Sequence, residues 1–264
     1  MQLRRLVCIL RNQQSCGDCW LAGTCAYSCF FETHIGKKDL EHLPGRDRAS
    51  HPFVMEVELQ DDFHCSLVMT FLGRGRNYIP YVNQAIENAG GRGVGRNRSR
   101  FKVLASLIDG KEFDYSLRTA SQQSRVWPSG EDIFPAPLMI HLETPCRIKE
   151  EGLYISMITL RSLLVSEYRR MQLLEELFGD GDVIFPILDP NTIPESEPRE
   201  QHWMENRYYS TRQKSELKFG GVVGYLFVKD GLEGFNASLL KAMELFHVGK
   251  NVSFGLGKVS MGGE

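Results

Sequence analysis

Two stretches of this chain follow one plan, and that repetition limits the fold more than any other feature. In the first half, FHCSLVMTFLG reads as a strand and NYIPYVNQAIENAGG as a helix with Tyr78, Val82, Ala85, Ile86 and Ala89 on one stripe. GRGVGRNRS follows as a glycine-rich basic loop, and RFKVLASL as a strand. In the second half GVVGYLFV, FNASLLKAMELFHVG, KNVSFGLG and KVSM run in the same order. A strand, an amphipathic helix, a glycine-basic loop and a strand that occur twice point to a duplicated sheet-and-helix unit.

The second half completes that unit. PLMIHLETPCRI alternates as a strand, and Met157, Leu160, Leu164, Tyr168, Met171 and Leu174 recur at helical spacing until Gly179 stops them. A hairpin through MENRYYSTRQKSELKFGGVVGYLFV, a helix from Asn236 to His247 and a closing strand GLGKVSM follow. Strand, helix, strand, strand, helix, strand is the ferredoxin-like split βαβ order. In the first half PFVMEVEL supplies a strand, and MQLRRLVCILR, apolar at Leu3, Leu6, Val7 and Leu10, a helix before it. A strand ahead of that helix is missing. The expected fold class is therefore α+β, with tandem ferredoxin-like (RRM-like) domains, the first lacking its first strand. The proline-rich RVWPSGEDIFPAPL divides residues 1–134, an N-terminal domain with a Cys-rich insertion, from residues 135–264. A second proline-rich segment, ILDPNTIPESEPREQ, is acidic and without period, and reads as an exposed loop.

At 264 residues the chain is long enough for two such cores, and 42% apolar with 24% charged residues is ordinary globular composition. No apolar run approaches a membrane span and the N-terminal hydrophobic stretch is too short for a signal peptide, so a cytoplasmic protein is expected. Net charge is −2, yet Arg92, Arg96, Arg98, Arg100 and Lys102 crowd the first glycine loop. Over a Debye length of roughly 8 Å a ligand at that cluster senses the cluster more than the total.

Five of the seven cysteines fall within the first 29 residues, and Cys16, Cys19, Cys25 and Cys29 form C-x2-C-x5-C-x3-C. In a reducing compartment the pattern reads either as thiolates for a structural zinc or iron–sulfur cluster or as ordinary thiols. Its spacing matches neither a common zinc pair-of-pairs nor a common iron–sulfur run.

The second loop, with Gly249, Lys250, Gly255, Gly257 and Lys258, is not a nucleotide phosphate loop. That motif needs G-x-x-x-x-G-K-[ST] between a strand and a following helix, whereas here a helix precedes and a strand follows. Either glycine loop taken singly reads as a helix stop with a solvated basic edge. Taken as a pair in a duplicated fold, they read as a polyanion groove whose glycines admit a backbone closely and whose cations meet phosphates, with single-stranded or hairpin RNA as ligand.

HVGKNVSFGLGKV closely resembles the C-terminal glycine-rich signature of the CRISPR precursor-RNA processing endoribonucleases, members of the repeat-associated mysterious protein (RAMP) superfamily. LRRLVC, the CxxC followed by CAYSCFFET, HPFV and GRGVGRNRSRFKV resemble further landmarks of that family, so the likeness spans nearly the whole chain. It implies two ferredoxin-like domains and an antiviral-defence nuclease that cuts CRISPR repeat RNA without a metal, by attack of a ribose 2′-hydroxyl, leaving a cyclic phosphate and a free 5′-hydroxyl. Such chemistry needs a base, an acid and a cation. The family draws them from in or just after its first helix, where this chain offers Tyr27, His34, Lys37, Lys38, His42 and His51. His34 ranks first as general acid or base, because a histidine titrates near neutrality and this one lies in the polar THIGKK segment. Tyr27 is its expected partner and Lys37 or Lys38 the cation, with Lys37 assigned first. The implied partners are repeat RNA, mature crRNA and other CRISPR effector subunits, and a non-catalytic RAMP subunit holding crRNA is the alternative. Family members begin with a strand and a glycine-containing turn. This chain begins inside the helix that follows them.

Overall fold

The computed structural model describes residues 2–10, 12, 15–33, 50–95, 97–113, 131–181, 183–210 and 215–262. Two compact units divide it: Met1–Pro52, Leu72–Arg125 and Glu176–Asp180 form one, and Phe53–Phe71, Val126–Glu175 and Gly181–Glu264 the other.

The first unit holds α1 (Gln2–Val7), a π-helical turn at Ser28–Glu32 and α2 (Ile79–Arg92). Pro80 sits at the start of α2, where a missing N–H costs no helical bond. Val82 and Ala85 of the predicted stripe are buried. Phe30 anchors the π turn, meeting Phe31 and Tyr78 edge-on at ring distances of 5.1 and 5.9 Å. Beyond α2 the predicted strand RFKVLASL pairs only at its end, where Leu107–Ile108 forms a two-residue hairpin with Lys111–Glu112. Residues 101–106 form no strand ladder among the described residues; Phe101 N–H instead donates to Gly90 O at 3.2 Å.

The second unit carries a hairpin of β1 (Phe53–Leu59) and β2 (Cys65–Phe71), in register from Phe53 opposite Phe71 to Leu59 opposite Cys65. Then follow β3 (Leu138–Cys146), α3 (Leu160–Phe178), β4 (Glu197–Met204), β5 (Gly221–Val228), α4 (Gly234–Phe246) and β6 (Val259–Gly262). The strands align as β6-β3-β5-β4, every neighbour antiparallel, which is the order of a ferredoxin-like sheet. Alternation explains which face is covered: Leu138, Ile140 and Leu142 of β3 point into the core, and Met139 and His141 point away. Leu160, Leu163 and Leu164 of α3 and Leu239, Leu240 and Met243 of α4 pack in that same core. Each such buried side chain contributes about 1.5–3 kcal/mol relative to exposure, so the helices and this sheet face stabilise one another.

Two boundaries differ from the sequence reading. Residues 197–201, expected as the end of an acidic loop, fall within β4, whose Pro198 is tolerated because β4 lies at the sheet edge. Met157, assigned to the apolar stripe of α3, precedes the helix and is exposed, so its spacing from Leu160 was coincidental. No described helix is long and apolar enough to cross a membrane.

Candidate nucleic-acid interface

The loop between α4 and β6 is stitched to the end of β3 by its backbone. Val248 N–H donates to Gly257 O at 2.9 Å, Lys250 N–H to Arg147 O at 3.0 Å, and Gly257 N–H to Pro145 O at 3.2 Å. The Thr144 hydroxyl donates to Gly255 O and accepts from Lys258 N–H. Gly257 has φ +72, and a Cβ there would lie 1.9 Å from Val248 O, so the turn admits glycine alone. At Gly249, with φ +86, a Cβ would lie 2.7 Å from Arg147 O.

A buried polar cluster holds this loop from beneath. The α4 C-cap, His247, is fully buried at a positive φ of 55, with Nδ1 3.0 Å from Leu256 O. Burial lowers its imidazole below the usual histidine range. It is therefore neutral at pH 7, with Nδ1–H donating to the Leu256 carbonyl. Arg170 of α3 donates from Nη1 to His247 O at 3.3 Å and to Glu167 Oε1 at 3.2 Å. Burial raises the Glu167 carboxyl to about 7 even though Arg170 opposes the shift. An Arg–Glu pair this deep gains little net stability, but removing one partner strands the other. Its role here is to fix the helix end from which the glycine loop departs.

The two loop lysines have different surroundings. Lys258 Nζ lies 2.7 Å from Glu56 Oε2 on β1 and 3.8 Å from Glu143 Oε2. Burial alone would raise the Glu56 carboxyl, but Lys258 and His247 outweigh it and hold it below the usual range. The charge of Lys258 is thus met within the protein. Lys250 is exposed and sits 5.9 Å from the centre of the Tyr154 ring, which also has Arg147 at 4.0 Å and Lys149 at 4.6 Å. Among the described residues no carboxylate pairs with any of these three cations.

The first glycine loop is built differently. Gly93 closes α2 with φ +83, and Val94 and Ser99 form a single bridge. Arg92, Arg98, Arg100 and Lys102 are all exposed and unpaired among the described residues, while Arg96 lies outside them.

Of the residues assigned to catalysis, His34 and Lys37, with Lys38 and His42, lie outside the described residues. Tyr27 is buried at the head of the π turn, its hydroxyl donating to Glu32 Oε1 at 3.0 Å and its ring 5.9 Å from the Arg4 guanidinium. His51 is half-buried, and desolvation lowers its imidazole. The four clustered cysteines are free and half-buried. Cys19 and Cys25 line an apolar cavity of about 640 Å³ beside Tyr78 and Pro80, and burial raises the Cys16 thiol. Among the described residues no three His, Cys, Asp or Glu side chains converge as metal ligands, so no metal chemistry is built on them.

Sequence reasoning passed over Arg147, Lys149 and Tyr154, and the Glu56, Glu167 and Arg170 supports. RIKEEGLY does carry a cue, because basic residues interleaved with an aromatic around a glycine turn mark an exposed hairpin. The register of Lys149 opposite Tyr154 makes it one. Nothing local in the sequence connects it to Lys250, a hundred residues later.

The fold and this interface define an α+β protein whose ferredoxin-like sheet closes on a cationic glycine-rich loop. Residues 140–259 match the model of the CRISPR-associated endoribonuclease Cas6, and residues 1–130 match the AF_1859 N-terminal domain. Over residues 140–259 the chain is similar to the Cas6 endoribonucleases. No curated protein sequence matches it. Among solved structures, a Cas6 product complex is similar at 16% identity, covering 82% of this chain and 84% of that one, with a TM-score of 0.44. A second Cas6 product complex is 15% identical over 80% and 82% of the two chains, TM-score 0.49. Thermus thermophilus Cas6 is 14% identical over 80% and 78%, TM-score 0.45.

Proposed function

We propose that this chain is a metal-independent endoribonuclease that cleaves CRISPR repeat RNA within its precursor transcript, on tandem ferredoxin-like domains. The observation that carries the reading is the glycine loop of the second unit. It is held by its own amides and a buried ion pair, and its Lys250 stands with Arg147 and Lys149 as a cation group where a phosphate backbone can approach. The likeness of residues 140–259 to the Cas6 endoribonuclease model supports the reaction class.

In the proposed reaction a general base takes the proton of the ribose 2′-hydroxyl next to the cut. That oxygen bonds to phosphorus, the bond to the 5′-oxygen breaks, and a general acid protonates the leaving oxygen, giving a cyclic phosphate and a 5′-hydroxyl. His34 is assigned the acid or base role, Tyr27 its partner and Lys37 the charge on the phosphoryl oxygens. The Glu32 carboxylate that accepts from Tyr27 fixes the direction of that phenol, which supports a positioned hydroxyl.

Incubating the purified protein with a repeat hairpin RNA in EDTA tests this reading. Cleavage with cyclic-phosphate and 5′-hydroxyl ends is expected, and a His34→Ala variant should lose most of the rate. RNA bound but left uncut would instead indicate the non-catalytic crRNA-holding subunit.

A further inference from the structure

We propose that Tyr154, with Arg147, Lys149 and Lys250, forms a subsite for an unpaired RNA nucleotide, the base lying on the Tyr154 ring and the flanking phosphates meeting the three cations. This rests on the RNA-binding reading above and assigns one part of it to residues outside the glycine signature. Three positive side chains converge on one exposed ring at 4.0, 4.6 and 5.9 Å, and among the described residues no carboxylate pairs with them. Cation–π attraction at an exposed site amounts to roughly 0.5–1 kcal/mol per pair, and the mutual repulsion of the cations works against it. An arrangement of this kind is completed by an anion.

The cluster is also held in place. Lys250 N–H donates to Arg147 O, and the close approach of Gly249 to the same carbonyl fixes the loop against the hairpin root. Ile155 N–H donates to Ile148 O at 3.2 Å, closing the hairpin that carries Lys149 and Tyr154. Arg147 Nη1 donates to Lys218 O at 3.1 Å, while its buried Nε has no partner. A second exposed aromatic, Phe254 on the glycine loop, stacks on Phe219 at 5.2 Å and leaves its ring half in solvent.

Aromatic faces beside a cationic track are how single strands are bound without sequence readout, because every base has a face to stack. Paired bases in an A-form helix have no free face to offer, which favours unpaired RNA over duplex. Lys258, at the other end of the same loop, is matched by Glu56 and Glu143 and is assigned no phosphate.

The test uses the full chain and two fluorescein-labelled probes, an adenine-rich single-stranded RNA and a blunt RNA duplex, with binding followed by anisotropy across a salt series. Tyr154→Ala should weaken single-strand binding roughly tenfold, while Tyr154→Phe keeps it. Lys250→Ala should lower the salt slope by about one, and Lys258→Ala should leave that slope unchanged. Single-strand binding that is unaffected in both Tyr154→Ala and Lys250→Ala would overturn the subsite and leave the nuclease reading standing. An equal loss on the duplex would overturn the stacked base. A wild-type protein with affinity for neither probe would overturn both proposals. Tyr154 is exposed on a hairpin, and an unchanged melting temperature for Tyr154→Ala shows that the variant is folded.

Discussion

The two glycine-rich loops look alike in sequence and differ in how they are held. Loop 93–99 follows α2 and has one bridge, with exposed arginines and a chain beyond it that forms no ladder until Leu107. Loop 248–258 follows α4 and is tied to β3 by several backbone bonds, with His247, Arg170 and Glu167 buried beneath it. Glycine and basic residues thus set composition, and the residues behind a loop decide whether it is a fixed surface. On this view the second loop positions RNA, and the first contributes field more than geometry.

The largest expected effect comes from the support. Arg170→Ala leaves Glu167 buried without its cation and should cost about 3–5 kcal/mol in urea unfolding. A cost below about 1 kcal/mol would mean that the second loop is no better anchored than the first. Next come two glycines with the same backbone angle, since Gly95 and Gly257 both have φ +72. A Cβ at Gly95 meets nothing within 4 Å, whereas at Gly257 it meets a carbonyl oxygen. Gly95→Ala should cost about 1–2 kcal/mol from left-handed strain alone, and Gly257→Ala clearly more. Equal costs would break the comparison.

Salt dependence sharpens it further. Arg98→Ala should weaken RNA binding evenly across sequences and reduce the salt slope by about one, without changing base preference. A change in preference would give the first loop a reading role. The smallest effect concerns pH. His247 is depressed in the folded protein, so below an ordinary histidine value near 6.5 the unfolded chain takes up the proton first. The stability it contributes is therefore present above that pH and is lost as pH falls toward its folded value. Wild-type stability should drop more than that of His247→Gln between pH 7 and 5, measured by urea midpoints. Because both proteins carry Glu167, whose raised carboxyl works in the opposite direction over this range, the difference between them isolates the histidine.

Much of the second unit was legible because its strands and helices each bury one periodic face. Leu138, Ile140 and Leu142 at period two, and Leu160, Leu164 and Met171 at helical spacing, are visible locally and are all buried. β4 was not legible, because an edge strand such as EPREQHWM needs no continuous apolar face and tolerates Pro198. RFKVLASL shows the converse: it alternates well, yet alternation makes a strand only where a neighbour completes the ladder. The glycine loop was recognisable from its sequence, but the different roles of its two lysines were not. Lys258 depends on Glu56, about two hundred residues earlier, and Lys250 on a hairpin about a hundred residues earlier. Such pairings belong to topology.

Ultraviolet cross-linking of the intact protein to a repeat hairpin RNA with a single-stranded flank, read out by mass spectrometry of the peptides, tests the central claim most directly. Adducts at Tyr154 or Phe254, competed away by excess unlabelled RNA, are predicted. Adducts confined to other peptides, with none in 147–154 or 249–254, would contradict the claim that the second glycine loop is the RNA-positioning surface.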